Sequence, residues 1–209
     1  MKPRLLVIAT LLCTLRATGA NVALTQAETE VLKSVDALPT AAQIDLAVGS
    51  GSGSGLARLL ELASDPMIDL GIQIRAIRLV LLYCPRPDEN CSGTPIHDAL
   101  LSLVQGYAAR ASAGTSPQDM LRLRAAVEAL GATRSELAGD VAALISAPAL
   151  LDHASRDVRV TVVRALRDLG SCAAVTPLQA RGAVEHVGQV QQAILNALQS
   201  LHTSAMCPL

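Results

Sequence analysis

Residues 156–170 read RDVRVTVVRALRDLG, and this stretch decides the fold class that the sequence predicts. Aliphatic side chains follow Arg159 at helical spacing, with Val163 four positions after it and Leu166 seven positions after it. This spacing places them on one face of an α-helix. Gly170 ends the apolar pattern, as glycine commonly does just beyond a helix. We therefore predict an amphipathic helix that fills the stretch up to this glycine.

The same periodicity extends along the chain in both directions, and no run of alternating β-branched residues predicts a strand. Breaks that contain proline or glycine separate the predicted helices into pairs. The pairs are expected at 55–64 with 68–83, 96–111 with 117–130, 135–146 with 156–169, and 173–182 with 187–201. The second helices align on one position, which is occupied in turn by Arg75, Leu123, Arg159 and Gln191 at spacings of 48, 36 and 32 residues. Periods of this size predict stacked helical hairpins.

These second helices resemble those of HEAT repeats, especially the compact bacterial lyase-type variety. Residues 156–170 carry most of the resemblance, residues 173–201 follow with their AVTPL opening, and about 55–201 is covered. The resemblance implies an all-α fold, namely a right-handed α-solenoid of about four HEAT-like helix pairs preceded by an N-terminal helical segment. Leu123 and Gln191 depart from the family pattern because arginine is usual there. A ladder of Asp–Arg contacts through the stack would be interrupted at both positions.

The segments outside the predicted repeats are an N-terminal leader, a short helical segment, a linker and a C-terminal tail. The chain starts with two basic residues before an 11-residue apolar run, and small residues follow at 18–20. This order is typical of a cleaved secretory signal peptide, and the run is too short to cross a bilayer. The predicted organisation is a signal peptide at 1–20, an N-terminal helical segment at 21–48 with helices at 24–38 and 41–48, a Gly/Ser linker at 49–55, a HEAT-like domain at 56–203 and a C-terminal tail at 204–209.

Composition excludes several classes of function. Hydrophobic residues make up 51% of the 209-residue chain, yet Phe and Trp are absent and there are two Tyr, so the aromatic platforms that stack on bases are missing. Without residues 1–20, 14 Lys and Arg face 18 Asp and Glu, a net charge of −4. We therefore expect no nucleic-acid partner, and no membrane span in the mature chain.

No motif predicts catalysis or cofactor binding. The chain contains no Gly-x-Ser-x-Gly, His-Glu-x-x-His or phosphate-binding glycine loop. The four histidines, His97, His153, His186 and His202, do not share metal-ligand spacing. His153 and His186 are expected in solvent-facing turns. We accordingly assign no catalytic, cofactor-binding or metal-ligating residues and expect a protein that is not an enzyme.

Four cysteines remain after the predicted signal peptide. An even number in an exported chain indicates two disulfides, whereas a zinc site is disfavoured because there is no Cys-x-x-Cys pair. Cys84 and Cys91 flank one loop with two prolines. Cys172 begins the last pair, and Cys207 lies just beyond its end, where antiparallel helices bring the two together. Crossed pairings would span an elongated stack, so we predict Cys84–Cys91 and Cys172–Cys207.

The resemblance implies protein–protein interaction through the second helices. The predicted signal peptide and the even number of cysteines predict a location in the periplasm or outside the cell. The predicted partner surface comprises Arg164, Arg167, Gln192, Asn196 and Gln199, which lie opposite the leucine stripe. The corresponding face of the first pair is apolar (Ala76, Val80 and Tyr83) and should be covered by the helix at 24–38. Two alternatives remain: a secreted enzyme whose catalytic residues meet only in three dimensions, and a structural component of the cell envelope.

Overall fold

The computed structural model describes residues 23–34, 38–49, 53–84, 91, 94–113, 116–134, 137–204 and 206–207. Within these ranges the chain is helical and has no strand, as the periodicity predicts. The predicted signal peptide and its cleavage site lie outside the described residues.

Ten α-helices are found in the described part of the chain. They are α1 (Gln26–Lys33), α2 (Ala41–Val48), α3 (Ser54–Ser64), α4 (Leu70–Leu79), α5 (Pro95–Ala113), α6 (Pro117–Ala132), α7 (Ala138–Ser146), α8 (Arg156–Leu169), α9 (Val175–Val184) and α10 (Gly188–Ser204). Short 3₁₀ helices follow α4 and α7 and precede α9, at Val80–Tyr83, Ala147–Asp152 and Cys172–Ala174.

Local chemistry accounts for where these helices begin and end. Thr25 caps the N-terminus of α1 with its side-chain oxygen, and Glu28 returns a carboxylate to the Thr25 N–H, which forms a capping box. Helix α8 ends at Gly170, whose φ of 72° is a left-handed conformation that glycine adopts without steric cost. The predicted bounds of α8 are therefore confirmed.

The second helix of each predicted pair packs against the next one. Helix α4 contacts α6, α6 contacts α8, and α8 contacts α10. Helices α3, α5 and α9 pack against α4, α6 and α10 respectively, while α7 and the 3₁₀ helix after it contact both α5 and α8. One continuous core of buried apolar side chains, most of them aliphatic and one of them Tyr107, fills the space between these helices.

The N-terminal helix is shorter than predicted. Helix α1 ends at Lys33, and the predicted last residue of its stripe, Leu38, is 76% exposed. The expected fold-back on the first pair is found: α1 contacts α4, and Glu28 accepts a hydrogen bond from Arg58 Nε at 2.6 Å. Helix α2 also takes part, because Asp45 accepts a hydrogen bond from the Tyr83 hydroxyl at 2.9 Å.

The predicted Gly/Ser linker at 49–55 overlaps a helix at its C-terminal end, since Ser54 and Gly55 belong to α3. The Asp45 carboxylate accepts hydrogen bonds from the backbone N–H groups of Gly53 (3.3 Å) and Gly55 (2.9 Å). These bonds satisfy N–H groups at the start of α3 that have no helical acceptor. Residues 50–52 of the predicted linker lie outside the described part.

The buried polar position of the second pair is Arg122 and not Leu123. Leu123 is fully buried in the core, whereas Arg122 Nε donates to Gln73 at 2.5 Å and Arg122 Nη1 to Asp119 at 2.9 Å. A one-residue shift turns a helical side chain by about 100°, so the phase of α6 was wrong by that amount. In the first pair, Gln73 occupies the buried position and donates to the carbonyl of Asp65.

Both predicted cysteine pairs lie at disulfide distance. The Cα atoms are 5.7 Å apart for Cys84 and Cys91 and 5.2 Å apart for Cys172 and Cys207. The Cys91 N–H also donates to the Thr133 carbonyl at 2.9 Å, which ties the end of α4 to the end of α6. Cys207 is fully buried, and this secures the C-terminal tail to the start of the last pair.

Candidate functional site

A groove with a cavity of about 310 Å³ runs across α4, α6 and α8. Its lining residues come from the second helices of the first three predicted pairs, and second helices are where the partner surface is predicted. The lining residues are Ile74 and Arg78 from α4, Leu121, Arg124, Ala125 and Glu128 from α6, and Thr161, Arg164, Ala165, Arg167 and Asp168 from α8.

Two alanines form the base of this groove. Ala125 and Ala165 are buried, at 3% and 2% exposure, and their short side chains leave space above them. The helices that carry them approach closely, because a Cβ added to Gly131 of α6 would lie 2.7 Å from the Cα of Ala165. Small residues at the helix contact thus place the arginines of α6 and α8 at the rim of the same recess.

Two of the four groove arginines have carboxylate partners. Arg78 Nη2 lies 2.9 Å from a Glu128 oxygen, across the boundary between α4 and α6. Arg167 Nη2 lies 2.6 Å from Asp168, its neighbour in sequence. Both pairs are substantially exposed, so each contributes at most about 1 kcal/mol to stability.

The other two groove arginines, Arg124 and Arg164, have no carboxylate of the described residues within close hydrogen-bonding distance. Arg164 is exposed and has no hydrogen bond or ion pair with any residue the structure describes. Arg124 reaches Asp157 only at the 4.0 Å limit of an ion pair, and Asp157 lies closer to Arg156, at 3.2 Å. The Arg124 Nε is buried and lacks an acceptor within the described ranges. The groove therefore has guanidinium groups with unused donors.

The predicted partner surface divides into two parts. Arg164 and Arg167 line the groove. The three predicted residues of α10, Gln192, Asn196 and Gln199, are exposed and lie outside its lining. The Gln192 amide donates to the Asn196 side chain at 2.9 Å. Sequence reasoning missed two other lining residues, Arg78 and Arg124. Arg78 lies three positions after the aligned Arg75, outside the face that the prediction followed in α4, and the predicted surface included no residue of α6.

A buried ionic cluster connects α8 with the turn before α10. Glu185 accepts from Arg159 at 2.9 and 3.1 Å and from Arg181 at 2.7 Å, and Arg181 also reaches Asp152 at 2.7 Å. Burial raises the pKa of Glu185, but the hydrogen bonds from Arg181, the Val187 N–H and Arg159 outweigh it and bring the pKa to about 2. Both guanidinium groups and the Glu185 carboxylate are hydrogen-bonded within the cluster or to adjacent backbone, so the cluster fixes structure.

A histidine–aspartate pair lies buried between α5 and α7. Both oxygens of Asp140 are 2.8 Å from His97 Nε2, and Asp98 is 3.1 Å from Nδ1. Burial lowers the pKa of His97, but the hydrogen bonds to Asp140 and Asp98 outweigh it and the net pKa is raised. The two side chains are 5% and 2% exposed, and both ring nitrogens are occupied. The ring therefore has no free nitrogen with which to act on a substrate.

The two histidines predicted in turns differ from each other. His186 is exposed, as expected. His153 is partly buried, and its Nδ1 accepts a hydrogen bond from the Ser155 N–H at 3.0 Å. Burial, and secondarily the charge of Arg159, lowers the pKa of His153, which favours the neutral ring that can accept this bond. His153 therefore helps to form the turn that leads into α8.

Neither a metal site nor a membrane-spanning helix is found in the part of the chain that the structure describes. Across the described ranges, no three or more His, Cys, Asp and Glu side chains are grouped so as to hold a metal ion. None of the helices in those ranges combines the length and the apolarity needed to cross a bilayer. No protein-family model, no curated protein and no solved structure matches the chain.

Proposed function

We propose that α3 to α10 form a right-handed solenoid of four HEAT-like helix pairs. The succession of contacts from α4 through α6 and α8 to α10 supports this arrangement. It is further supported by a buried polar side chain near the start of the first three second helices, namely Gln73, Arg122 and Arg159. In the fourth, Gln191 is exposed and donates a hydrogen bond to the Glu185 carbonyl. A two-helix unit cannot bury both of its faces alone, so neighbours must cover it.

We propose that the protein is an exported binding module for another protein and not an enzyme. The observation that carries the proposal is the groove on α4, α6 and α8, where Arg164 and the Arg124 Nε have no acceptor in the described chain. Location in the periplasm or outside the cell is supported by two cysteine pairs at disulfide distance, because disulfides persist in oxidising compartments.

Site-specific photocrosslinking tests this proposal. A photoreactive residue replaces Thr161, inside the groove, and in a matched variant it replaces Ser102, which is exposed on α5 and outside the groove. We expect the Thr161 probe to form a crosslink to a polypeptide when irradiated in the native host, and the Ser102 probe to form none to the same polypeptide.

Two results would contradict the proposal. Crosslinking of one polypeptide from Ser102 and none from Thr161 would place the interaction elsewhere on the surface. An absence of crosslinked protein from both positions would contradict the role as a protein-binding module and would favour a structural component of the envelope.

A further inference from the structure

We infer that the segment bound in the groove is acidic, with aliphatic side chains that reach the groove base between Asp or Glu residues. The inference rests on the proposed binding function and specifies the chemistry of the partner. It follows from charge, from the shape of the recess and from a pattern shared by α6 and α8.

The charge of the groove is opposite to that of the chain as a whole. Four arginines and two carboxylates line it, a net charge of +2, whereas the whole chain has a net charge of −1. Pairing of Arg78 with Glu128 and of Arg167 with Asp168 accounts for the two carboxylates. The remaining positive charges belong to Arg124 and Arg164, which face the same recess.

The two helices on either side of the closest contact each present an Arg-Ala pair followed three positions later by a carboxylate. Leu121, Arg124, Ala125 and Glu128 of α6 are followed 40 residues later by Thr161, Arg164, Ala165 and Asp168 of α8. An arginine and a small buried residue thus recur on successive helices. A ligand that lies across the helices would meet one guanidinium on each.

The unused donors match an oxyanion, and in an unmodified polypeptide that group is a carboxylate. A guanidinium presents parallel N–H groups in a planar fork, and a carboxylate accepts them in bidentate geometry. The Arg124 Nε is buried without an acceptor in the described chain, and an unpaired buried donor destabilises the unbound protein. A carboxylate that reaches this atom would remove that destabilisation on binding. This makes Arg124 the expected anchor of the complex and Arg164 its exposed partner.

The shape of the recess favours an extended segment. Packed helices lie about 8–10 Å apart, so the distance from α4 to α8 is about 16–20 Å, which five or six extended residues span. The base is apolar, with Ile74, Ala125 and Ala165, and Leu121 at the side is 42% exposed. One or two aliphatic side chains of the segment would cover this surface while the flanking carboxylates meet the arginines.

A peptide library displayed on phage tests the inference. The folded, disulfide-bonded protein is immobilised, random 12-residue peptides are selected, and bound peptides are displaced with salt. We expect enrichment of peptides in which Asp or Glu flank Leu, Ile or Val. The enriched peptide is then synthesised with a fluorophore, together with a copy in which Lys replaces every Asp and Glu, and affinity is measured by anisotropy.

Matched variants locate the binding. Arg164→Glu should reduce the affinity for the acidic peptide about tenfold. Arg164→Lys should reduce it less, because the positive charge is kept and only the planar guanidinium fork is lost. Lys33→Glu makes the same change in charge at an exposed residue of α1 outside the groove, and it should have no effect. Circular dichroism of each variant checks that the fold is retained.

The outcomes separate this inference from the proposed function. Enrichment of basic or uncharged peptides whose binding is blocked by a bulky residue at Thr161 would overturn the acidic partner but retain the binding module. An equal loss of affinity in Lys33→Glu and Arg164→Glu would also overturn it, because the attraction would then be non-specific. Failure to enrich any peptide would contradict both.

Discussion

The guanidinium of Arg159 holds the carboxylate of Glu185 through two hydrogen bonds, at 2.9 and 3.1 Å, although 26 residues separate them in sequence. Arg159 also donates to the carbonyls of His153 and Ala154 in the turn that precedes α8. One side chain therefore joins the start of α8 to the turn before α10. This contact fixes how the last pair sits on the pair before it.

Glu185→Ala is expected to lower the free energy of unfolding by about 3–5 kcal/mol, because Arg159 would remain buried without its counter-charge. Glu128→Ala is the matched control, since it removes an exposed carboxylate paired with Arg78 and should cost about 1 kcal/mol or less. Urea denaturation followed by circular dichroism measures both. Equal costs for the two variants would show that burial of the cluster contributes nothing.

His97 is expected to make stability depend on pH. Because its pKa is raised in the folded protein, the stabilisation by the imidazolium is fully present below the unfolded value of about 6.5 and is lost as the pH rises through the folded pKa. The difference in unfolding free energy between wild type and His97→Gln should therefore decrease as the pH rises above about 6.5.

His153 serves as the internal comparison for this titration. Its pKa is lowered, so its contribution is present above the unfolded pKa and is lost as the pH falls through the folded value. In an NMR titration of ring ¹⁵N shifts, the pKa of His97 should lie above the ordinary histidine value of about 6.5 and that of His153 below it. The reverse order would contradict both assignments.

Loss of the Cys172–Cys207 bond in the double serine variant should cost about 4 kcal/mol, whereas loss of Cys84–Cys91 should cost about 2.5 kcal/mol. The difference follows from loop length, since the sequence separations are 35 and 7 residues. Urea denaturation compares the two variants, and non-reducing peptide mapping checks the pairing. A linked peptide that joins Cys84 to Cys172 or Cys207 would contradict the arrangement.

Gly131→Ala is expected to destabilise the protein by about 1–3 kcal/mol, because the new Cβ would overlap the backbone of Ala165 where α6 and α8 meet. Gly106→Ala in α5 is the control: nothing lies within 4 Å of the added atom, and the variant should gain up to about 1 kcal/mol from helix propensity. Thermal denaturation distinguishes the two. If Gly131→Ala were as stable as Gly106→Ala, the close helix contact would be refuted.

The helices were predictable because their signals are local. Apolar residues at helical spacing, punctuated by Gly170 and the prolines, placed α8 and α2 at their observed ends. The sequence was less informative where the position of a side chain depends on packing against other helices. Leu123 and Arg122 are adjacent and both are buried, and only the packing of α6 against Gln73 of α4 places Arg122 in the buried polar position.

The candidate site was predictable in part for the same reason. Arg164 and Arg167 belong to a helix whose phase was correct, and both line the groove. Arg124 lies 40 residues before Arg164 on another helix, whereas the predicted alignment of Leu123 with Arg159, at a spacing of 36 residues, paired Arg124 with Val160. His97 and Asp140 are 43 residues apart, so spacing rules for metal or catalytic motifs could not bring them together.

The bond between Cys172 and Cys207 has a mechanical consequence. A chain pulled from its ends would lose one helix layer after another, since each layer is attached mainly to its neighbours. Extension would stop at this crosslink, and the 35 residue steps between the two cysteines would add no length. At about 3.5 Å per residue, roughly 120 Å of contour stays inaccessible to tension until a reductant opens the bond.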